Sequence, residues 1–376
     1  MKKIAPFFFL VCLFFFSVIT AAHAGREIIY AFDRDYPPHT YVKDGTPVGF
    51  DVEVLQAVVK GKDITIRYQP MQWADVQAAL KKGDVHITSG MAKTPERTAL
   101  FAFPDMPVCD FKTTLFSTKK GDVRSLNDLK NRAKTVATQR GSLYQKILEE
   151  RGVTPALYET EADALIAVAE GRADAFAGSE KTAFFNIERH NLTGIFPVST
   201  PLLVSSIYHV IRAHDPELLA VVNEGMRRIS GDGAYDRIYR KWFVTELSRE
   251  EIDRMRKKAR DASFFAYAPY SNYQVGAAVL TASGNIYTGC NVESALFSYT
   301  TSAVKVAVCK AVSEGETHFK AVLCYLPGDK IGVPAADERQ LLYEFGRETL
   351  AVLNNGNGGY TTVMISSLLP HPFLME

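Results

Sequence analysis

The chain has almost no net charge: 43 Lys and Arg stand against 42 Asp and Glu, leaving +1 over 376 residues. Without a basic stripe, a nucleic-acid partner has no electrostatic support. Cysteine is scarce, at five residues, and no two of them form a C-x-x-C pair or a legible disulfide framework. Cys12 lies in the N-terminal apolar run. Cys109, Cys290, Cys309 and Cys324 read mostly as free, buried small hydrophobes. Beyond that run no apolar stretch reaches membrane length. There is also no Walker-type phosphate loop, no Ser-His-Asp constellation and no solenoid repeat.

What is present begins with Lys2 and Lys3, an apolar run from Ile4 to Thr20, and Ala22-His23-Ala24 before Gly25. A charged start, an apolar middle and an A-x-A end describe a secretory signal peptide over residues 1–24. The rival reading is an uncleaved membrane anchor. Val11 before Cys12 argues against a lipoprotein site. The mature chain is expected in a bacterial periplasm, and its length allows two or three domains.

From Glu27 the pattern alternates strands and helices: a strand at 27–32, a helix with Val52, Leu55 and Val58, a strand at 64–68, and a helix from Asp75 to Lys82. That alternation points to an α/β lobe with a mainly parallel sheet, in which ligands sit beyond the carboxyl ends of strands. Tyr36, Trp73 and the Ser89-Gly90 turn all reach that edge. Trp73 also reads as core packing, and Asp33 and Asp35 as turn formers rather than ligand groups. Thr94 caps a helix with Pro95 at its first position. Arg97 then sits in the first turn, where a cation opposes the helix dipole. It reads either as an ordinary surface Arg or as a bidentate grip for a ligand carboxylate. Farther on, Ser142 opens a helix after Gly141, as a simple cap or as part of an anion site.

Asp84, Gly90, Met91, Thr94, Arg97, Phe103, Pro104 and Pro107, with V-G-F-D-V-E-V at 48–54 and G-D-G-A-Y-D-R-I-Y-R-K-W-F at 231–243, closely resemble family 3 of the bacterial extracellular solute-binding proteins. The resemblance covers about 25–246. It implies a two-lobed periplasmic binding protein (type II), with crossing strands near Asp110–Leu115 and Ser205–Arg212. One lobe would hold about 25–113 and 205–246, the other 114–204. It further implies that Arg97 holds the ligand's carboxylate, that Tyr36 and Trp73 stack on it, and that Ser89, Gly90 and Ser142 complete the site. A membrane permease or sensor is the implied partner. Ser179 occupies the position where the family has an acid for the ligand's α-ammonium, and Glu180 beside it points to the opposite face of a strand. Ala92 stands where many members have Ser or Thr. The ammonium clamp therefore looks weakened, which suggests a ligand other than a standard α-amino acid.

From Leu247 the composition shifts. Ser248 to Glu251 form an S-x-x-E capping box. F-A-Y-A-P-Y-S-N-Y-Q-V-G-A-A-V-L at 265–280, T-G-C-N-V-E-S-A at 288–295 and K-A-V-S-E-G at 310–315 are strongly similar to the small cytidine deaminases. This resemblance implies a cytidine deaminase-like α/β/α sandwich over 247–376. It also implies a thiolate-held zinc that activates water, with a Glu moving protons. Here the C-A-E motif reads Ser302-Ala303-Val304, and P-C-x-x-C reads Pro334-Ala335-Ala336-Asp337-Glu338. The expectation is a pseudo-enzyme with no catalytic residues, no metal ligands and no zinc or other cofactor. Asn291 and Glu293 match residues that hold ribose hydroxyls, Tyr273 a residue that packs on the base, and Phe373 one that completes a neighbouring subunit's site. Either nucleoside binding persists, or N-V-E serves folding and the domain supplies a homo-oligomer surface.

The composite expectation is a periplasmic binder of a small amino-acid-like or carboxylate solute, for transport or sensing. Its alternatives are an exported zinc-dependent cytidine or nucleoside deaminase, and a nucleoside-binding periplasmic protein.

Overall fold

The structure is a computed structural model describing residues 25–118, 123, 125–131, 134–199, 201–355 and 359–373. The expected signal peptide, at 1–24, lies outside the described residues. Internal contacts divide the chain into two compact units, one ending at Arg228 and the other beginning at Ile229.

In the first unit β1 (Arg26–Asp33) pairs in parallel with β2 (Ile64–Met71) along its whole length, Arg26 opposite Ile64 and Asp33 opposite Met71. Between them run α1 (Phe50–Val59) and the chain's return to the sheet. Helix α2 (Trp73–Lys82) buries Trp73, Val76, Ala79 and Leu80 on one stripe, an i, i+3, i+6, i+7 pattern that helical periodicity places on one face. It stops at Gly83, whose φ of 82° is the left-handed cap glycine tolerates. Then come β3 (Ile87–Ala92) and the single-turn α3 (Pro95–Thr98), where the Thr94 hydroxyl accepts from the Arg97 amide at 3.3 Å.

The second lobe is built from β4 (Cys109–Ser117), β5 (Val136–Gln139), α4 (Leu143–Glu150), β6 (Ala156–Tyr158), α5 (Glu161–Ala169), β7 (Ala175–Ser179), α6 (Glu180–Arg189) and β8 (Leu203–Arg212). The strands lie in the order β2-β1-β3-β8-β4-β7-β5-β6. At the centre β4 and β8 run antiparallel, Thr113 opposite Leu203 and Cys109 opposite Ile207. These are the two crossing strands expected between lobes. Each lobe has its own core: Ala31, Trp73, Val76, Leu80 and Met91 in one, and Phe116, Ala137, Leu165, Val168 and Phe176 in the other.

The second unit carries the order β10-β9-β11-β13-β14, formed by β9 (Gly276–Thr281), β10 (Ile286–Cys290), β11 (Phe319–Leu326), β13 (Leu350–Asn354) and β14 (Tyr360–Met364), with β12 (Lys330–Gly332) paired to β11. Only β11 and β13 are parallel, so the sheet is mixed. Its longer helices are α7 (Ala234–Phe243), α8 (Arg249–Ser263), α9 (Ala303–Ser313) and α10 (Ala336–Phe345). Two glycines let helices approach the sheet. A Cβ at Gly276 would run into the Ala259 carbonyl of α8, and one at Gly289 into the Ala303 carbonyl of α9. The Ser248–Glu251 capping box forms as read, with reciprocal bonds of 3.1 and 2.8 Å.

Helix α7, whose sequence resembles the end of a solute-binding domain, has its contacts here. The Tyr239 hydroxyl donates to Glu348 at 3.1 Å, Arg240 donates to the Thr362 hydroxyl at 2.8 Å, and Arg347 lies 4.7 Å from the Tyr239 ring centroid. The division between compact units therefore falls before α7, at 228/229, whereas sequence composition shifts at 246/247. Among the described residues no two cysteines form a disulfide; Cys109 and Cys324 are buried, but Cys290 is half-buried and Cys309 exposed on α9. The expectation that most are buried is corrected, because Cys309 falls on the outer face of its helix.

Candidate functional site

The carboxyl ends of the strands in the two lobes of the first unit enclose a narrow cavity. β1 brings Asp33, and the loop after it Tyr36. The N-terminus of α2 brings Trp73, β3 brings Ser89, Gly90 and Ala92, and α3 brings Arg97. From the other lobe come Gln139 at the end of β5, Ser142 and Tyr144 at the start of α4, and Glu161 at the start of α5. Six of the seven residues expected to bind solute thus line one cavity: Tyr36, Trp73, Ser89, Gly90, Arg97 and Ser142.

Ser179 does not line it. It is fully buried at the end of β7, next to the Tyr36 hydroxyl, which it influences electrostatically. Glu180 is also absent from the lining; it starts α6 and takes a hydrogen bond from Thr114.

Arg97 is half-buried. Its Nη1 donates to the Ala92 carbonyl at 3.1 Å and its Nη2 to Gln77 Oε1 at 3.3 Å. Both acceptors are neutral, and among the described residues no carboxylate pairs with it. Burial lowers its pKa, with the Tyr144 phenol and Glu96 acting in the other direction. A guanidinium held by neutral acceptors at a cavity wall keeps donors and charge for an anion. Ser142 caps α4 by accepting from the Gln145 amide at 3.2 Å, so the cap reading holds while its side chain still lines the cavity. Trp73 joins the lobe core as well as the cavity wall.

Two acids that sequence reasoning passed over face the same space. Asp33 does form a turn, accepting from the Asp35 amide at 3.1 Å, but its other oxygen takes a 2.6 Å bond from Gln139 Nε2 of the opposite lobe. Burial pushes its carboxyl up to about 6, against the pull of the Asp35 amide and Gln139. Glu161 is 1% exposed, and burial followed by the nearby Asp33 raises its pKa well above the usual range. The only available signal for Glu161 was a Thr-capped helix start, which has no ligand-specific pattern. Gln77 donating to the Gly141 carbonyl at 3.0 Å, and the Arg189–Asp35 and Lys146–Glu96 pairs at 3.1 and 3.0 Å, also span the lobes. The cleft is closed.

In the second unit Ser302 caps α9, accepting from the Lys305 amide at 3.4 Å, and Val304 is buried in the core. Ala335 caps α10, and its amide donates to Glu338 Oε2 at 2.6 Å. Lys305 Nζ pairs with Asp337 at 2.5 Å, joining the first turns of α9 and α10. These residues do not fit a thiolate-bound zinc. Val304 and Ala335 carry no donor, Ser302 and Glu338 serve helix caps, and a lysine ammonium stands between the two turns. Among the described residues no group of three His, Cys, Asp or Glu is placed to hold a metal.

Asn291 accepts from the Val275 amide at 2.8 Å and donates to the Tyr273 carbonyl at 2.9 Å. Glu293 accepts from the Tyr270 and Ser271 amides at 2.9 and 3.2 Å and from the Ser271 hydroxyl. Both polar side chains expected to meet a nucleoside are engaged with the 270–275 loop. Tyr273 and Phe373 are exposed, and Phe373 is fixed through its backbone to Gln340.

Two α/β lobes joined by crossing strands, with a closed cleft at the strand ends, define a type II periplasmic binding protein. The model of the bacterial extracellular solute-binding proteins, family 3, matches residues 28–245, and that of the cytidine and deoxycytidylate deaminase zinc-binding region matches 235–324. The chain belongs to family 3 of the bacterial extracellular solute-binding proteins and carries a cytidine deaminase-like domain behind it. The arginine-binding extracellular protein ArtP of Bacillus subtilis is 28% identical over 230 residues, 59% of this chain and 88% of ArtP. A cytidine deaminase of Sporosarcina psychrophila is 39% identical over 121 residues, 32% of this chain and 87% of that enzyme. The solved structure of a histidine kinase sensor domain with similarity to periplasmic binding proteins superposes with a TM-score of 0.55 at 29% identity, covering 58% of this chain and 97% of that one. The deaminase match ends before Pro334, where the second thiolate motif would stand. Among the described residues no helix is long and apolar enough to cross a membrane.

Proposed function

We propose that this chain is a periplasmic solute-binding protein that captures a small amino-acid-like or carboxylate solute between its lobes, for delivery to a membrane permease or for presentation to a membrane sensor. The observation that carries this reading is Arg97, a cleft guanidinium whose own partners are neutral. Tyr36 and Trp73 supply apolar walls, and Ser89, Gly90 and Ser142 supply polar edges. Relatives named for amino acids, arginine among them, support an amino-acid-like ligand. Calorimetric titration with amino acids and simple carboxylates tests it. Arg97→Ala should weaken the bound solute about 100-fold or more, since a buried carboxylate would lose a charged partner. Unchanged affinity in that variant would sink the assignment.

For the C-terminal domain we infer a pseudo-deaminase that serves as an interface between copies of this chain. Val304 cannot transfer a proton, and the Lys305–Asp337 pair bridges the two helix starts. Phe264, Phe265, Tyr267, Tyr270, Phe297 and Tyr299 are all more than half exposed. Exposed aromatic side chains are the residue type enriched at protein interfaces. The two loops that carry most of them are joined: the Tyr267 amide donates to the Asn291 carbonyl at 3.0 Å, and the Glu293 amide to the Tyr267 carbonyl at 2.8 Å. Glu293, the charged residue between them, is already bonded within the loop. Residues 264–275 and 291–301 carry no other charged side chain, so like-charge repulsion between copies is small there. Stoichiometric zinc in the purified chain, or ammonia released from cytidine, would revive the deaminase alternative.

A further inference from the structure

The cavity holds a buried carboxyl group that no basic side chain meets. Its lining contains one cationic side chain, Arg97, and two carboxylates, Asp33 and Glu161. Asp33 is met by the Asp35 amide and by Gln139. Glu161 is met less well: the Ser179 amide and the Tyr144 hydroxyl stand nearest it, yet neither of its buried oxygens has a partner at full hydrogen-bond geometry. A carboxylate in that position costs folding free energy unless a cation arrives to meet it. Glu161 and Arg97 line the same cavity, from opposite lobes, and Tyr144 lines it with them.

We propose that Glu161 is the ammonium-binding group of the cleft, standing in for the acid that Ser179 replaces, and that the solute carries an α-ammonium as well as a carboxylate. This rests on the reading of Arg97 as the carboxylate anchor. The solute lies with its carboxylate on Arg97 and its ammonium on Glu161, spanning the Tyr144 hydroxyl. The absence of an acid at 179 then signals a relocated clamp, and amino acids return as the ligand class.

Calorimetry on the full chain tests this with L-arginine, L-histidine and L-glutamine, each beside its des-amino and decarboxylated analogues. The expected result is that at least one amino acid binds and its des-amino analogue binds at least 100-fold more weakly. Glu161→Gln should lose a similar factor, Glu161→Asp less, and a thermal melt should show E161Q folded. If E161Q is misfolded, the des-amino comparison on the unaltered chain decides alone. Equal binding of amino acid and des-amino analogue, or E161Q within threefold of wild type while Arg97→Ala is lost, overturns the role of Glu161 and leaves the carboxylate reading intact. An amino acid bound equally well by R97A overturns the underlying reading instead. No heat from any of the nine probes overturns the amino-acid assignment.

Discussion

Gln139 Nε2 donates a 2.6 Å hydrogen bond to Asp33 Oδ2, tying the carboxyl end of β5 in one lobe to that of β1 in the other. The bond ends on a buried carboxylate, so closure and protonation are linked.

The sign of that linkage follows from Asp33. Its carboxyl titrates near 6 in the closed structure, chiefly through burial, against about 3.9 in an unfolded chain. The folded chain therefore binds the extra proton, and this group's contribution to stability declines as pH rises from about 4 to 6. Asp35 and Glu161 add negative charge nearby, and Arg34 positive charge. Asp33→Asn removes the titration. The melting temperature of the variant relative to wild type should be more favourable at pH 7.5 than at pH 4.5, read by calorimetric melts at both. A difference of opposite sign would refute a desolvated carboxylate at this position.

Much of the first unit was legible because its signals are local. Alternating apolar strands, the Thr94 cap with Pro95, and the Gly141-Ser142 helix opening all have short-range causes, and each formed as expected. Glu161 was not legible because the groups around it, Asp33, Tyr144 and Ser179, come from segments distant in sequence. Asp33 was half legible: its turn is local, while its bond to Gln139 spans 106 positions. Helix α7 shows the same limit, since its sequence resembles one domain and its contacts lie in the other unit.

Asn291 distinguishes folding from nucleoside binding. Its side chain satisfies the Val275 amide and the Tyr273 carbonyl. Asn291→Ala should destabilise the second unit by roughly 1–3 kcal/mol, the range for leaving such groups unpaired. Thermal or urea unfolding reads the loss directly. A variant as stable as wild type that nonetheless loses heat with cytidine or uridine would restore the nucleoside pocket.

Phe297 and Tyr299 are 78% and 72% exposed. The double substitution to Asp should leave the melting temperature of dilute protein within a few degrees, since neither ring belongs to the core. Sedimentation at tens of micromolar should shift from an oligomer to monomer. A wild-type chain that stays monomeric across that range removes the self-association reading.

The Lys305–Asp337 pair makes a prediction about metal. Its side chains are 35% and 63% exposed, so the pair adds under about 1 kcal/mol to stability, and Lys305→Met should melt almost unchanged. Its effect on a restored site should be larger. Ser302→Cys, Ala335→Cys and Glu338→Cys together would place thiols at the starts of α9 and α10, where the deaminase family has its zinc ligands. Cobalt added to that triple variant should give the absorption bands of tetrahedral thiolate coordination, absent from wild type. Adding Lys305→Met should tighten the metal further, because an ammonium beside the site repels a divalent cation. If the triple variant binds no cobalt with or without the lysine, the two helix starts no longer have the spacing a metal needs. The departure from the family would then lie in backbone geometry as well as in side chains.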